Sequence, residues 1–129
     1  MRSALIYLDT HIVVWLYAGL TGMFSQEIRE LINRSAIHIS PIVRLELQYL
    51  YETNRVADKP DIIITDLANR IGIRVDDKPF NIVINAAMAF TWTRDPFDRI
   101  IVANAGINNH ILVTKDRTIR ANYHFAMWE

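Results

Sequence analysis

The chain has 129 residues, 51% of them apolar and 22% charged, which suits a single domain spanning residues 1–129 and excludes extended disorder. Lys plus Arg and Asp plus Glu both number 14, so overall charge offers no pull on a polyanion and any nucleic-acid contact must come from a local patch. With no Cys there is no disulfide or thiolate site, and the scattered His11, His38, His110 and His124 lack the close pairing of a zinc centre.

The apolar run at residues 4–8 predicts a buried strand, and Ile12, Val13, Leu16 and Tyr17 predict a helix over 10–19 that Gly19 breaks. A second helix is expected over 24–34, signalled by Ser25, with Ile28, Leu31 and Ile32 on one face. Ile37-His38-Ile39 alternates like a short strand. Ser40-Pro41 supplies an N-cap followed by proline at the first helical position, so a helix should run to about residue 53. Ile62-Ile63-Ile64 could belong to a strand, but Asp66 to Arg70 favours a helix over 61–71 that ends at Gly72, followed by a strand at 73–75. Pro79 opens a helix through Ile82, Val83, Ala86, Ala87 and Phe90, and Asp95-Pro96 repeats the cap-then-proline pattern for a helix to about Asn108. Ile111 to Thr114 reads as a strand, 116–122 as a short helix and Tyr123 to Trp128 as a final edge strand. Short strands alternating with amphipathic helices predict an α/β fold with a mainly parallel sheet.

No apolar run approaches the roughly 18 residues of a membrane span, and the opening Met-Arg-Ser-Ala-Leu-Ile-Tyr-Leu-Asp is too short in apolar residues for a signal peptide, so a cytoplasmic protein is expected.

Four carboxylates stand at the ends of apolar runs or on apolar helix faces. Asp9 closes the first strand, Asp116 follows Ile111 to Thr114, and Asp98 shares a helix face with Ile101, Val102 and Ala105. Glu46 lines up with Ile42 and Val43 one turn before and with Tyr49 and Leu50 one turn after, which points it inward. Ligands of open parallel sheets bind beyond the carboxyl ends of the strands, where Asp9 and Asp116 should lie. Clustered carboxylates repel, and a divalent cation relieves that repulsion; Mg²⁺ or Mn²⁺ is the natural choice for an all-oxygen set and can activate water for phosphodiester displacement. Each acid also has a structural reading: Asp95 and Asp116 as helix caps, Asp98 as a partner of the helix dipole, Asp9 as the start of a turn.

Tyr7-Leu8-Asp9-Thr10-His11, Ser40-Pro41-Ile42-Val43-Arg44-Leu45-Glu46-Leu47, the block from Arg94 to Ala105 containing Arg-Asp-Pro-Phe-Asp-Arg, and Thr114-Lys115-Asp116 together resemble the PIN domain in order and spacing. In particular they resemble the VapC-type toxin nucleases of toxin–antitoxin pairs. The resemblance implies a three-layer α/β/α sandwich and a Mg²⁺- or Mn²⁺-dependent endoribonuclease whose metal-binding and catalytic quartet is Asp9, Glu46, Asp98 and Asp116. It makes Asp95 an accessory acid or a cap; Thr10 and Thr114 could hydrogen-bond a metal-bound water or could instead satisfy backbone groups locally. It further implies a homodimer, a cognate antitoxin that covers the site, and products ending in 5′-phosphate and 3′-hydroxyl. Arg44, Arg94, Arg99, Lys115, Arg117 and Arg120 lie close in sequence to the acids and could form a basic rim for RNA. Trp15, Tyr17, Leu20, Met23 and Phe24 form an apolar cluster that could be either a groove for an antitoxin helix or core.

Rival readings remain at this point. Lys59-Pro60-Asp61-Ile62-Ile63-Ile64-Thr65-Asp66 mimics the strand leading to the phosphoacceptor of a two-component receiver, although no acidic pair follows the first strand. A non-catalytic protein-binding module and a metal nuclease acting on structured DNA are the others.

Overall fold

The computed structural model describes residues 4–129. Its element order is β1 (Leu5–Leu8), α1 (Thr10–Tyr17), a short 3-10 turn (Thr21–Met23), α2 (Gln26–Arg34), β2 (Ala36–Ile39), α3 (Pro41–Glu52), α4 (Pro60–Ile71), β3 (Arg74–Val75), α5 (Phe80–Met88), α6 (Pro96–Gly106), β4 (Ile111–Val113), α7 (Arg117–Asn122) and β5 (Ala126–Met127). The strands form one sheet in the order β3-β2-β1-β4-β5, and every neighbouring pair is parallel. This is the three-layer α/β/α sandwich expected of the sequence.

The central strands read as apolar runs because helices cover the sheet: Ile6, Tyr7, Leu8, Leu112 and Val113 are all buried, as are Ile37 and Ile39 of β2. The helices add Val43, Leu47, Ile63, Leu67, Ile101 and Val102 to the same core. Burying one such side chain stabilises the fold by about 1.5–3 kcal/mol.

Local chemistry sets the element ends. Ser25 caps α2 by accepting from the Ile28 amide at 3.2 Å, so the helix begins two residues later than the periodicity suggested and Phe24 is buried ahead of it. Gly72 ends α4 with a left-handed φ of 73°, as its position predicts. The helix expected from Pro79 through Phe90 stops at Met88, because the Arg99 guanidinium takes the Ala87 and Met88 carbonyls at 3.1 and 3.2 Å. The edge strand expected over Tyr123 to Trp128 is reduced to Ala126–Met127.

The receiver-like segment is helical throughout: Asp66 lies inside α4, paired with Arg70 one turn on at 2.7 Å. It therefore does not end a strand, and the geometry a phosphoacceptor needs is missing there. Among the described residues no helix is long and apolar enough to cross a membrane.

The strand order carries the functional consequence. From β1 the chain winds outward through β2 and β3, then crosses back to place β4 on the other side of β1. The direction of winding reverses between β1 and β4, and at such a switch point the loops beyond the strand ends diverge and leave a crevice.

Candidate active site

Asp9 lines that crevice, with Thr114 buried behind it. The register pairs Leu8 with Val113, and one step beyond, the Asp9 amide donates to the Val113 carbonyl at 3.0 Å. Asp9 also caps α1, its Oδ1 accepting from the Thr10 amide at 2.7 Å, while Oδ2 accepts from the Thr114 hydroxyl at 2.6 Å. Asp9 is 7% exposed. Burial pushes its carboxyl above the usual range, and the bonds from Thr114 and Thr10 act against that rise.

Asp95, Asp98 and Asp116 reach the crevice from helix starts. Asp116 caps α7 through Oδ1 to the Ile119 amide at 2.9 Å, and its own amide donates to Thr114 Oγ1 at 3.1 Å. Asp95 caps α6, accepting from the Phe97 amide at 2.9 Å, and Asp98 follows in the first turn of the same helix. Glu46 comes from the middle of α3 and accepts a hydrogen bond from the Thr10 hydroxyl. The buried stripe of α3 is Val43, Leu47 and Leu50. Glu46 therefore sits half-buried at the margin of that stripe, and Tyr49, expected to share its apolar face, is exposed.

Asp9, Glu46, Asp95, Asp98 and Asp116 together line one open cleft of about 410 Å³, joined by His11, Trp15 and Lys115. A helix cap uses one carboxylate oxygen and the positive end of the dipole, so the capping reading and the clustering reading are compatible at Asp9, Asp95 and Asp116. Asp98 feels the crowding of the other four acids directly. Burial first, then the negative charges of Asp95, Asp9, Asp116 and Glu46, push its carboxyl up to about 7. Glu46 is also raised, chiefly by burial and against the Thr10 hydrogen bond.

The donor set is all oxygen, matching a hard divalent cation. Among the described residues no group of three His, Cys, Asp or Glu side chains stands close enough to hold an ion unaided. An ion held there would keep several waters and take only one or two carboxylates directly, as Mg²⁺ commonly does.

Of the basic side chains adjacent to the acids in sequence, Lys115 lines the cleft. Arg44 pairs with Asp61 at 3.5 Å, Arg94 donates to the Thr91 carbonyl at 3.1 Å, and Arg99 is committed to the end of α5. Arg117 and Arg120 are exposed on α7. His11 and Trp15 were not recognisable from sequence as cleft residues. The available signal was their one-turn spacing directly after Asp9, which repeats the cleft-facing side of α1.

A buried polar cluster also escaped the sequence reading. Asp76 Oδ2 accepts from Tyr7 Oη at 2.9 Å, Lys78 Nζ at 2.8 Å and Asn104 Nδ2 at 2.7 Å. The Ser40 hydroxyl donates to Asn104 Oδ1. This cluster ties the start of α3, which carries Glu46, to α6, which carries Asp98.

The PIN domain family matches residues 6–124: the chain belongs to the PIN domain family. Solved structures share its fold at low identity. VapBC2 from Rickettsia felis, bound to a DNA fragment from its promoter, matches with a TM-score of 0.70 at 18% identity, covering 97% of this chain and 99% of that one. DNA-bound VapBC from Salmonella typhimurium matches with a TM-score of 0.63 at 20% identity and 98% coverage of both chains. VapBC-1 from nontypeable Haemophilus influenzae matches with a TM-score of 0.65 at 16% identity, covering 97% of this chain and 96% of that one. No curated protein matches the sequence.

Proposed function

We propose that the chain is a Mg²⁺- or Mn²⁺-dependent endoribonuclease of the VapC type, one nuclease domain acting as the toxin of a toxin–antitoxin pair. The observation that carries this reading is the meeting of five carboxylates from four separate stretches of chain around one cleft at the sheet's switch point. Family membership and the fold shared with VapBC proteins support it. By the same reading the protein is a cytoplasmic homodimer restrained by a cognate antitoxin.

Asp9, Asp98 and Asp116 would hold the ion, directly or through water, and Glu46 would complete the site. When bound, the ion supplies charge neutralisation and a more acidic water for attack on the phosphodiester. The rest falls to the chain. Thr114 fixes the Asp9 carboxylate and the Asp116 backbone together, so the two strand-end acids are presented in one orientation. Thr10 holds the Glu46 carboxylate, which would complete the site or orient the attacking water. Asp95 adds negative charge beside Asp98. Lys115 supplies a cation at the cleft wall for substrate phosphate; Arg44, Arg94 and Arg117 do not line the cleft, and Arg99 serves the fold first.

The test is expression of the wild type and of Asp98→Asn without antitoxin, followed by mapping of RNA ends in the cells. Growth arrest with discrete 5′-phosphate ends in the wild type alone is the expected result. A protein that neither cuts RNA nor binds Mn²⁺ by calorimetry would instead be a binding module that keeps the fold.

A further inference from the structure

Three of the residues lining the cleft, His11, Trp15 and Lys115, carry no negative charge. They form a single wall: the His11 and Trp15 rings lie 6.2 Å apart, and the Lys115 ammonium sits over the Trp15 ring, 5.8 Å from its centroid. Trp15 is backed by Phe24 at 6.3 Å and by Trp128 at 5.8 Å, and Phe24 and Trp128 pack on each other at 5.9 Å. The indole is thus braced from behind while part of it opens on the acids. The ring is only half-buried, and its cleft side is flanked by His11 and covered by the Lys115 ammonium at the end of a four-carbon side chain.

From this we propose that the wall is a nucleotide subsite: Trp15 stacks the base next to the phosphate being cut, and Lys115 swings from the ring to pair with a substrate phosphate. The proposal rests on the ribonuclease reading above and names how the strand is held. Its physical basis is twofold. Every base has a π face, so stacking on an immobilised ring holds a single strand without demanding a sequence. An ammonium over an exposed ring is the weaker contact of the two, so a base displaces it and frees a charge where a phosphate needs one. The polyanion would otherwise meet five carboxylates with Lys115 as the one Lys or Arg among the lining residues.

The test measures binding and not cleavage. In an Asp98→Asn background with Mg²⁺ present, fluorescence anisotropy gives the affinity for labelled single-stranded oligouridylate and oligoadenylate. Trp15→Leu, which keeps apolar bulk but has no π face, should weaken binding about tenfold, the loss of one stacked base. Trp15→Phe should retain most of the affinity. Lys115→Met should reduce the salt dependence by about 0.7 in the slope of log K against log salt, the value for one phosphate contact on a single strand. A Trp15→Leu protein with unchanged thermal unfolding and unchanged affinity overturns the stacking role. If Trp15→Leu unfolds, an unaltered salt slope in Lys115→Met overturns the subsite. Tighter binding of oligodeoxythymidylate than of either RNA overturns the assignment to RNA. Wild-type protein that cuts RNA while Trp15→Leu binds normally removes only this proposal; wild-type protein that cuts no RNA removes the ribonuclease reading itself.

Discussion

Thr114 donates a 2.6 Å hydrogen bond to Asp9 across 105 positions of the chain. Both groups are buried, so the bond satisfies a carboxylate oxygen that water reaches poorly. The same hydroxyl oxygen accepts from the Asp116 amide. Thr114→Val keeps the shape but strands both partners, and should cost about 1–3 kcal/mol, the usual penalty for an unsatisfied buried group. Urea unfolding measures it, and RNA cleavage should fall with it; a variant as stable and active as wild type would show that Asp9 does not depend on this contact.

Asp98 sits among four other acids. Asp98→Asn removes one charge from that crowd, so the metal-free variant should melt a few degrees higher than the metal-free wild type while cleaving no RNA. Stability and activity then move in opposite directions, which a merely structural carboxylate would not show. Differential scanning fluorimetry in EDTA reads the first quantity.

Divalent ions should stabilise the wild type by mass action, about 2.7 kcal/mol at an ion concentration one hundred times its Kd. Mn²⁺ titration followed by melting temperature tests this. The rise should be blunted in Asp9→Asn and Asp98→Asn and reversed by chelation. An identical rise in both variants would place the ion elsewhere.

Asp76 gives an acid limb to stability. Burial alone would raise its carboxyl, but hydrogen bonds from Lys78, Asn104 and Tyr7 outweigh it and hold the group below its usual value. A depressed folded value means the contribution is complete above the unfolded pKa of about 3.9 and is lost as pH falls through the folded one. Asp76→Asn leaves the Lys78 ammonium without its 2.8 Å partner and should cost about 3 kcal/mol at pH 7. The gap between variant and wild type should narrow below pH 4. Unfolding curves at both pH values check the sign.

Much of this was legible because the signals are local. Ser40-Pro41 and Asp95-Pro96 announced α3 and α6, and Gly72 announced the end of α4. The strand-end positions of Asp9 and Asp116 announced a shared rim, since a parallel α/β sheet has one place for such residues. What the sequence hid depends on partners distant in the chain. Arg99 stands one position from Asp98, yet a helix turns successive side chains by 100°, and it reaches the α5 carbonyls instead. Asp76 carries no local signal that sets it apart; its importance comes chiefly from Tyr7 and Asn104, which no spacing rule brings to it. The depth of Glu46 was overstated for a similar reason, because the apolar stripe of α3 is broader than the face that α4 and α6 cover.

The two outermost strands, Arg74–Val75 and Ala126–Met127, are only two residues long. Each therefore offers scarcely any free backbone for another polypeptide to zip onto, a property that discourages sheets from fusing edge to edge into aggregates. Strand addition is thereby disfavoured as a way of recognising this molecule, which leaves the helix faces and the cleft as the surfaces a companion would use.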